Sequence, residues 1–287
     1  MMERIGRKAV LLFASPSTRM LVTSDTDTVM QYSVLDTASV FESFICESRS
    51  ENVIAIEVHI LNLLKGLKPA ASFELLTMKL TKRGVAQYLR VETRPREGGV
   101  ALVQDIPVRV IAGSEMMRFT PPALPPPKLC VVIPHHKVLC PVVDRMRALG
   151  KTLEIEVHAS PGESAKLTLS AVHDQVRVRT FFPNLISEGG SANAAAATLS
   201  LPDFAATLKG ISALSAGQTC TVKLSLVPPT ALYLSILLDD GSGSITVVHI
   251  IKDTGMVEGE GEGEEESPDF AETGMLVGEG QQRENWE

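Results

Sequence analysis

A succession of short β-type runs, covering most of residues 8 to 252, is the feature that most constrains the fold. Most runs are four to nine residues long and rich in Val, Ile, Leu and Thr, and turn residues such as Ser15-Pro16 and Pro228-Pro229 bound many of them. Examples are 10–14, 20–23, 30–35, 53–58, 73–80, 100–111, 153–157, 166–171, 175–181, 219–227, 231–238 and 245–251. This pattern predicts a β-rich protein with many antiparallel strands.

Three segments, 59–68, 135–151 and 201–214, show helical spacing of their apolar residues instead. Pro141 is expected to kink the second helix or to mark its start, and Pro202 suits an early helical position. The apolar stripes are Ile60, Leu63, Leu64 and Leu67 in the first segment, Val138, Leu139, Val142, Val143, Met146 and Leu149 in the second, and Phe204, Leu208 and Ile211 in the third.

The order of these elements predicts an α+β protein made of two similar parts. Residues 1–111 contain strands, one helix and more strands, whereas 129–252 contain a strand, a helix and three strands twice in succession. The proline-rich stretch 112–128 between them is predicted to be an extended, semi-rigid connector. The sequence thus indicates an N-terminal domain, a connector and a C-terminal domain.

Charge separates a fourth region from this body. Residues 253–287 hold twelve acidic residues and one basic residue, a net charge of −11, whereas 1–252 hold 26 basic and 22 acidic residues, a net charge of +4. The run EGEGEGEEE cannot bury a core, so 253–287 is predicted to be a disordered acidic tail.

Several function classes lack support in the sequence. No apolar stretch reaches the length of a membrane helix, and the first ten residues are too charged for a signal peptide. The four cysteines are widely spaced, which favours reduced, buried thiols. No phosphate-binding glycine motif occurs, and the adjacent His135 and His136 diverge on a helix, so that we expect no cofactor, no metal and no catalytic site. The prediction is a non-enzymatic protein.

At this point the chain resembles the PCNA-like sliding clamps, and more closely the Hus-type subunits of the 9-1-1 DNA-damage checkpoint clamp. The resemblance rests on the order and spacing of Ser15-Pro16, 56–82, 104–111, 132–157 and 177–184. It implies two clamp domains with antiparallel sheets outside and helices on a concave inner face. The family's first strand and most of its first helix have no counterpart here, and 1–7 matches the end of that helix. A shortened N-terminus is expected rather than a functional loss.

The resemblance implies a subunit of a heterotrimeric ring in the nucleus that encircles duplex DNA at damage or stalled forks and supports ATR-type signalling. Its implied partners are two sister clamp subunits, a checkpoint clamp loader, double-stranded DNA without sequence specificity, and repair enzymes, with no membrane. Two alternatives stay open: a homotrimeric replication clamp, and an enzyme of an unrelated β-rich fold.

Two sets of residues are candidates for binding. The polar faces of the three helices carry basic residues and no aromatic ones, which suits sequence-independent phosphate contact, although such a face is also typical of a solvated helix. The candidate DNA-facing residues are Lys65, Lys68, Lys137, Arg145, Arg147, Lys151 and Lys209. Asp144 is expected to weaken this surface locally. Under the connector, the resemblance implies a groove for client peptides, flanked by Met116, Met117, Phe119 and Leu124, although these side chains also suit simple packing against the sheet.

Overall fold

The computed structural model describes residues 2–69, 75–94, 101–119, 125–133, 136–159, 164–173, 176–214, 220–228, 231–239 and 244–254. Their first half, residues 2–111, starts with a 3₁₀ turn at Met2–Arg4. It continues as β1 Lys8–Phe13, β2 Ser17–Thr23, β3 Val29–Asp36, α1 Thr37–Val40, β4 Ile54–His59, α2 Ile60–Leu67, β5 Leu75–Arg83, β6 Ala86–Arg94 and β7 Leu102–Ile111.

The second half follows a short helical segment, α3 Gly113–Met116, and a 3₁₀ turn at Met117–Phe119. It comprises β8 Leu129–Ile133, α4 His136–Met146, β9 Thr152–His158, β10 Ala165–His173, β11 Val176–Gly189, β12 Ala194–Ser200, α5 Leu201–Leu214, β13 Cys220–Val227, β14 Ala231–Asp239 and β15 Ser244–Lys252. This order is the one that the sequence predicts for the second half.

The strands pair antiparallel in one continuous order, β12-β9-β10-β11-β8-β13-β14-β15-β3-β2-β1-β4-β7-β6-β5. The two halves join where β15 pairs with β3, with Ile245 opposite Leu35 and Ile251 opposite Val29. Both strands alternate apolar side chains between two faces, so the pairing continues the sheet without breaking its pleat. The expected antiparallel α+β architecture is thus confirmed.

The main core lies between one face of this sheet and the helices. It takes alternate residues from strands of both halves, together with one stripe from each of α2, α4 and α5. Because all three stripes belong to the same cluster, the three helices lie on the same face of the sheet. The fully buried helical residues include Leu139, Val143, Leu201, Phe204, Leu208 and Ile211.

The predicted helices are partly corrected by the structure. The segment 201–214 matches α5, and its stripe of Phe204, Leu208 and Ile211 is buried. In α4, Pro141 lies inside the helix rather than at its start, and Val138 of the predicted apolar stripe is 54% exposed. In α2, Leu64 of the predicted stripe is 44% exposed. The side of α2 that carries Gly66 lies against the sheet, where an added Cβ would meet Ile106.

The expectation of an extended connector is wrong for its first residues. Gly113–Met116 is helical and the next three residues form a 3₁₀ turn. The N–H of Glu115 donates to the carbonyl of Ala112 at 2.9 Å, and Arg109 Nη1 lies 3.0 Å from Glu115 Oε2. These two contacts hold the start of the connector against the end of β7, and the prolines that favour extension come only after this turn.

Candidate nucleic-acid interface

Helices α4 and α5 pack against each other and form the larger part of the candidate surface. Leu139, Val143 and Met146 fix the orientation of α4 by entering the core. The opposite side of α4 therefore faces solvent, and Lys137 and Arg145 are exposed there. Arg147 and Lys151 follow the end of α4 and are exposed as well.

An ion-pair network connects these two helices. Asp144 Oδ1 of α4 lies 2.7 Å from Lys209 Nζ of α5 and 3.7 Å from Arg147 Nη1. The side chains of Asp144 and Lys209 are 39% and 36% exposed, so solvent screens their attraction. The carboxylate offsets one positive charge locally, and the weakening of DNA contact by Asp144 stays a prediction.

The backbone near Lys151 joins the end of α4 to the start of α5. The carbonyl of Lys151 accepts a hydrogen bond of 2.8 Å from the N–H of Leu201. This contact holds the loop after α4, which carries Arg147 and Lys151, against the first residue of α5. Among the side chains described on α2, α4 and α5, the one aromatic ring is that of Phe204, which is buried.

Helix α2 carries the two remaining predicted basic residues. Lys65 and Lys68 are exposed, while Ile60 and Gly66 face the sheet. The N-terminal 3₁₀ turn contacts both α2 and α5. Arg4 is exposed in this turn and adds a basic residue that the sequence analysis did not single out. No motif in the sequence around Arg4 singles it out, and only the position of its turn against α2 and α5 does so.

On the opposite face of the sheet, a small apolar cluster lies under the connector. It is formed by Val10, Leu21, Ala55 and Ile111, with Leu12, Met30, Tyr32, Met116 and Phe119 packed against it. Met116 and Phe119 of the predicted groove therefore contact the sheet, whereas Met117 is 84% exposed. Leu124 lies outside the described residues. This arrangement fits the packing interpretation for two of the four predicted residues.

An ion pair beside this cluster fixes the edge of the connector. Burial opposes ionisation of Glu57 on β4, but hydrogen bonds from Lys8 and Arg109 outweigh it and lower the pKa of this carboxyl group overall. The distances are 2.9 Å to Lys8 Nζ and 3.2 Å to Arg109 Nη2. Since Arg109 also binds Glu115, β1, β4, β7 and α3 are held together electrostatically.

The histidine, cysteine and acidic side chains of the described residues are dispersed. None of their His, Cys, Asp and Glu side chains form a group of three or more that suits a metal ion. The cysteines are half-buried rather than fully buried as expected, and burial raises the pKa of the Cys46 thiol, which disfavours the reactive thiolate. His135 lies outside the described residues. No described helix is long and apolar enough to cross a membrane.

Comparison with known structures defines the class of the fold. PCNA from Thermococcus kodakaraensis superposes with a TM-score of 0.63 at 20% sequence identity, covering 88% of this chain and 92% of that chain. Proliferating cellular nuclear antigen from Entamoeba histolytica gives a TM-score of 0.63 at 14% identity, covering 88% and 91%. The chain has the PCNA-like fold.

Sequence comparison is more specific than the fold. The family model for Hus1-like proteins matches residues 1–253, and the chain belongs to this family. Checkpoint protein hus1 of Schizosaccharomyces pombe is 28% identical over 187 residues, which are 64% of each protein. The checkpoint protein hus1 homolog of Dictyostelium discoideum is 26% identical over 180 residues, 58% of this chain and 66% of that protein. The alignments thus span a little under two thirds of these relatives.

Proposed function

We propose that this protein is one subunit of a heterotrimeric, ring-shaped checkpoint clamp that encircles duplex DNA. The observation that carries the proposal is membership in the Hus1-like family together with a PCNA-like fold. The protein acts without enzymatic activity of its own, in the nucleus, at damaged DNA or stalled forks. It supports ATR-type signalling, is placed on DNA by a clamp loader and tethers repair enzymes.

Two free strand edges support assembly into a ring. In β7, residues 108–111 pair with β4, but within the described chain 102–107 pair only with β6. In β11, residues 186–189 pair with β8, but 176–182 pair only with β10 among the described strands. Each of these segments therefore has one unpaired row of backbone N–H and C=O groups, which invites pairing with another chain.

The junction inside the chain shows how such edges fit. By their order in the two halves, β3 corresponds to the first part of β11, and β15 corresponds to β7. Since β15 pairs antiparallel with β3 within the chain, β7 of one subunit is expected to pair with a strand of the β11 type in the next subunit. The two edges differ, so the contact is head-to-tail, and such contacts generate closed rings when the rotation closes.

The basic surface of α2, α4, α5 and the N-terminal turn supplies the attraction for DNA. Lysine and arginine side chains bind phosphate without reading bases, and they release counterions as they do so. The absence of exposed aromatic side chains on the described parts of these helices favours sliding over base stacking. We therefore assign phosphate contact to Lys65, Lys68, Lys137, Arg145, Arg147, Lys151 and Lys209, with Arg4 added.

The mass of the protein in solution tests the assembly. We expect a monomer when the chain is alone, and a one-to-one-to-one complex when it is mixed with the two sister clamp subunits from its own organism, as measured by light scattering after size exclusion. A stable self-trimer would instead support the homotrimeric replication clamp. Failure to bind either sister subunit, combined with no self-association, would reject both clamp assignments.

The topology of DNA binding is a second test. The assembled and loaded ring is expected to stay on a closed circular duplex at high salt, and to be lost when one cut makes that duplex linear. A matched pair of variants then locates the DNA-facing surface. Arg145→Gln should reduce the slope of log affinity against log salt by about one unit. Lys223→Gln, on the opposite face of the sheet, should leave the slope unchanged.

The connector region is the proposed site for client peptides. Its exposed Met117 and the apolar cluster under Met116 and Phe119 offer side chains for an apolar anchor. Met117→Glu should weaken the binding of a client peptide at this site, while the ring still assembles. Retained peptide binding in that variant would place the client site elsewhere.

A further inference from the structure

The internal junction between β15 and β3 indicates which residue of a sister subunit meets each residue of β11, once β3 and β11 are matched. Lys8 of β1 pairs with His59, the last residue before α2. Thr152 of β9 pairs with Ser200, the last residue before α5. Because β4–α2 and β12–α5 are corresponding strand–helix units, Lys8 and Thr152 occupy equivalent positions.

The match continues across the sheet to β3 and β11. Three residues further along β1 lies Leu11, which leads through its partner on β2 to Ser33 of β3. The equivalent residue of β9 is Ile155, which leads through its partner on β10 to Thr180 of β11. Thr180 is therefore the counterpart of Ser33.

At the internal junction, the position of Arg179 is occupied by Tyr32, since each lies one residue before a matched residue. Tyr32 pairs with Val248 of β15, and both side chains are half-buried on the face of the sheet away from the helices. A sister strand that pairs with β11 in the same register places one of its residues opposite Arg179. The Arg179 side chain is then half-buried, as Tyr32 is.

Arg179 is an exposed cation without a counterion in the described chain. None of the described hydrogen bonds or ion pairs involves its guanidinium group. Its cross-strand neighbour on β10 is Ser170, which is 2% exposed and uncharged. Glu154, the next residue across on β9, lies 3.9 Å from Arg177 instead. A charge that is partly buried without a counterion is costly, so pairing of β11 with a sister strand favours a carboxylate opposite Arg179.

The strand that a second copy of this chain would offer is β7, which can be matched to β15 in the same way. Arg109 of β7 pairs with Glu57, two residues before the end of β4. The N–H of Thr254, just after β15, donates at 2.7 Å to the carbonyl of Thr198, two residues before the end of β12. Arg109 and Thr254 are therefore counterparts.

This match places a valine opposite Arg179 in a contact between two copies of the chain. Counting back equally from the two counterparts, Val103 takes the place of Val248. Glu92 pairs with Val103 on β6, so its backbone lies one strand farther away, about 10 Å from that of Arg179. A second copy thus supplies no carboxylate directly opposite Arg179.

Asp105, the acidic residue of the free segment of β7, does not remove this mismatch. Its carboxylate is already bound by Arg83 and Arg90, each at 2.8 Å. These contacts, chiefly the hydrogen bond from Arg90, lower the pKa of the Asp105 carboxyl group. In a contact between two copies it would face Arg177, so that a third guanidinium group would approach a carboxylate that two already neutralise.

We propose that the sister subunit that binds β11 carries an aspartate or glutamate on its β7-type strand, directly opposite Arg179. This carboxylate occupies the position that Val248 has at the internal junction and Val103 has in this chain. It makes the contact selective for a sister over a second copy, because only the sister neutralises Arg179. The inference rests on the proposed clamp function and adds the chemistry of the partner at one of its two edges.

Titration calorimetry with each sister subunit alone tests the inference. Arg179→Glu should weaken the binding of one sister by about 10-fold or more, because two carboxylates then face each other, and it should leave the other sister unaffected. Arg19→Glu is the matched control, since Arg19 is exposed on β2 and both edges of β2 are paired within the chain. This control variant should bind both sisters as the wild type does.

A reciprocal exchange in the affected sister identifies the contact. When its carboxylate residue opposite Arg179 is replaced by arginine, binding to Arg179→Glu should return to within about 3-fold of the wild-type pair. Wild-type affinity in Arg179→Glu, an uncharged residue at the sister's position, or no restoration would overturn the inference and leave the clamp assignment in place. A wild-type chain that binds neither sister would instead reject the clamp assignment, and the inference with it.

Discussion

The ammonium group of Lys209 on α5 lies 2.7 Å from the carboxylate of Asp144 on α4. This contact joins two helices whose residues are 65 positions apart, and it occupies a cation that the proposed function assigns to DNA. Arg147 shares the same carboxylate at 3.7 Å. Asp144 is therefore placed to reduce the attraction of this surface for phosphate.

The first prediction concerns this carboxylate. Asp144→Asn should raise the affinity of the assembled clamp for a short duplex roughly 3-fold at low salt, with little effect on stability because the pair is exposed. Fluorescence anisotropy across a salt titration measures both affinity and slope. Glu188→Gln is the matched control, since it frees Lys223 from a similar ion pair on the opposite face. An equal gain in both variants would argue against a specific DNA-facing surface.

The second prediction concerns the backbone at Gly190, whose φ of +152° is a conformation that other residues rarely adopt. A Cβ there would also lie within 2.8 Å of Leu129 Cα. Gly190→Ala should therefore destabilise the protein by roughly 3 kcal/mol, measured by urea unfolding. Gly84 has a φ of +60° and open space around it, so that Gly84→Ala should cost only about 1 kcal/mol. Equal losses of stability in the two variants would show that the backbone around Gly190 and Leu129 shifts to relieve the clash.

The sequence predicts local elements well where several signals agree. In α5, two signals agree, namely Pro202 at an early position and the apolar stripe of Phe204, Leu208 and Ile211. The observed bounds of α5 match the predicted segment 201–214. The strand β12 is expected from the order of elements, although its alanine-rich sequence is a weak strand signal. Its burial alternates nonetheless, since Ala195, Ala197 and Leu199 face the core.

Long-range relationships could not be predicted in the same way. The apolar spacing of α2 and α4 indicates which residues share an arc, but whether Leu64 or Val138 is covered depends on a neighbouring element. The pairing of β15 with β3 joins residues more than 200 positions apart and follows from which strand edges remain free. The pairing of Lys209 with Asp144 likewise requires the packed helices. The exposure of six of the seven basic residues and a local effect of Asp144 were predictable, whereas the ion pair of Asp144 with the half-buried Lys209 was not.

The third prediction concerns His249, which is completely buried on β15 opposite Gln31 of β3. Both of its ring nitrogens lack a hydrogen-bond partner within the described residues, and burial lowers its pKa to about 4. The unfolded chain binds the proton near pH 6.5, so the folded state loses stability as the pH falls from 6.5 towards 4. Between pH 7.5 and pH 5 this group should cost about 2 kcal/mol.

Replacement of this side chain isolates its share of the pH dependence. In His249→Leu, unfolding free energies at pH 7.5 and pH 5 should differ by about 2 kcal/mol less than in the wild type. The exposed His158 provides the control, and His158→Gln should follow the wild-type curve. Parallel curves for wild type and His249→Leu would show that His249 is protonated in the folded state as readily as in the unfolded chain.

The last prediction concerns the free edge of β11 that the proposed ring requires. Phe181 is 51% exposed, with Lys166 Nζ 4.3 Å from its ring centre. At a protein–protein contact such an aromatic side chain would be buried, and a buried carboxylate in its place would be costly. Phe181→Glu should therefore weaken binding of one sister subunit at least 10-fold, while the other subunit still binds through β7. Val85→Glu adds the same charge at the exposed tip of the β5–β6 hairpin, and this variant should bind both sister subunits. Light scattering and titration with each sister subunit alone distinguish these outcomes, and unchanged binding of both in Phe181→Glu would remove β11 from the ring interface.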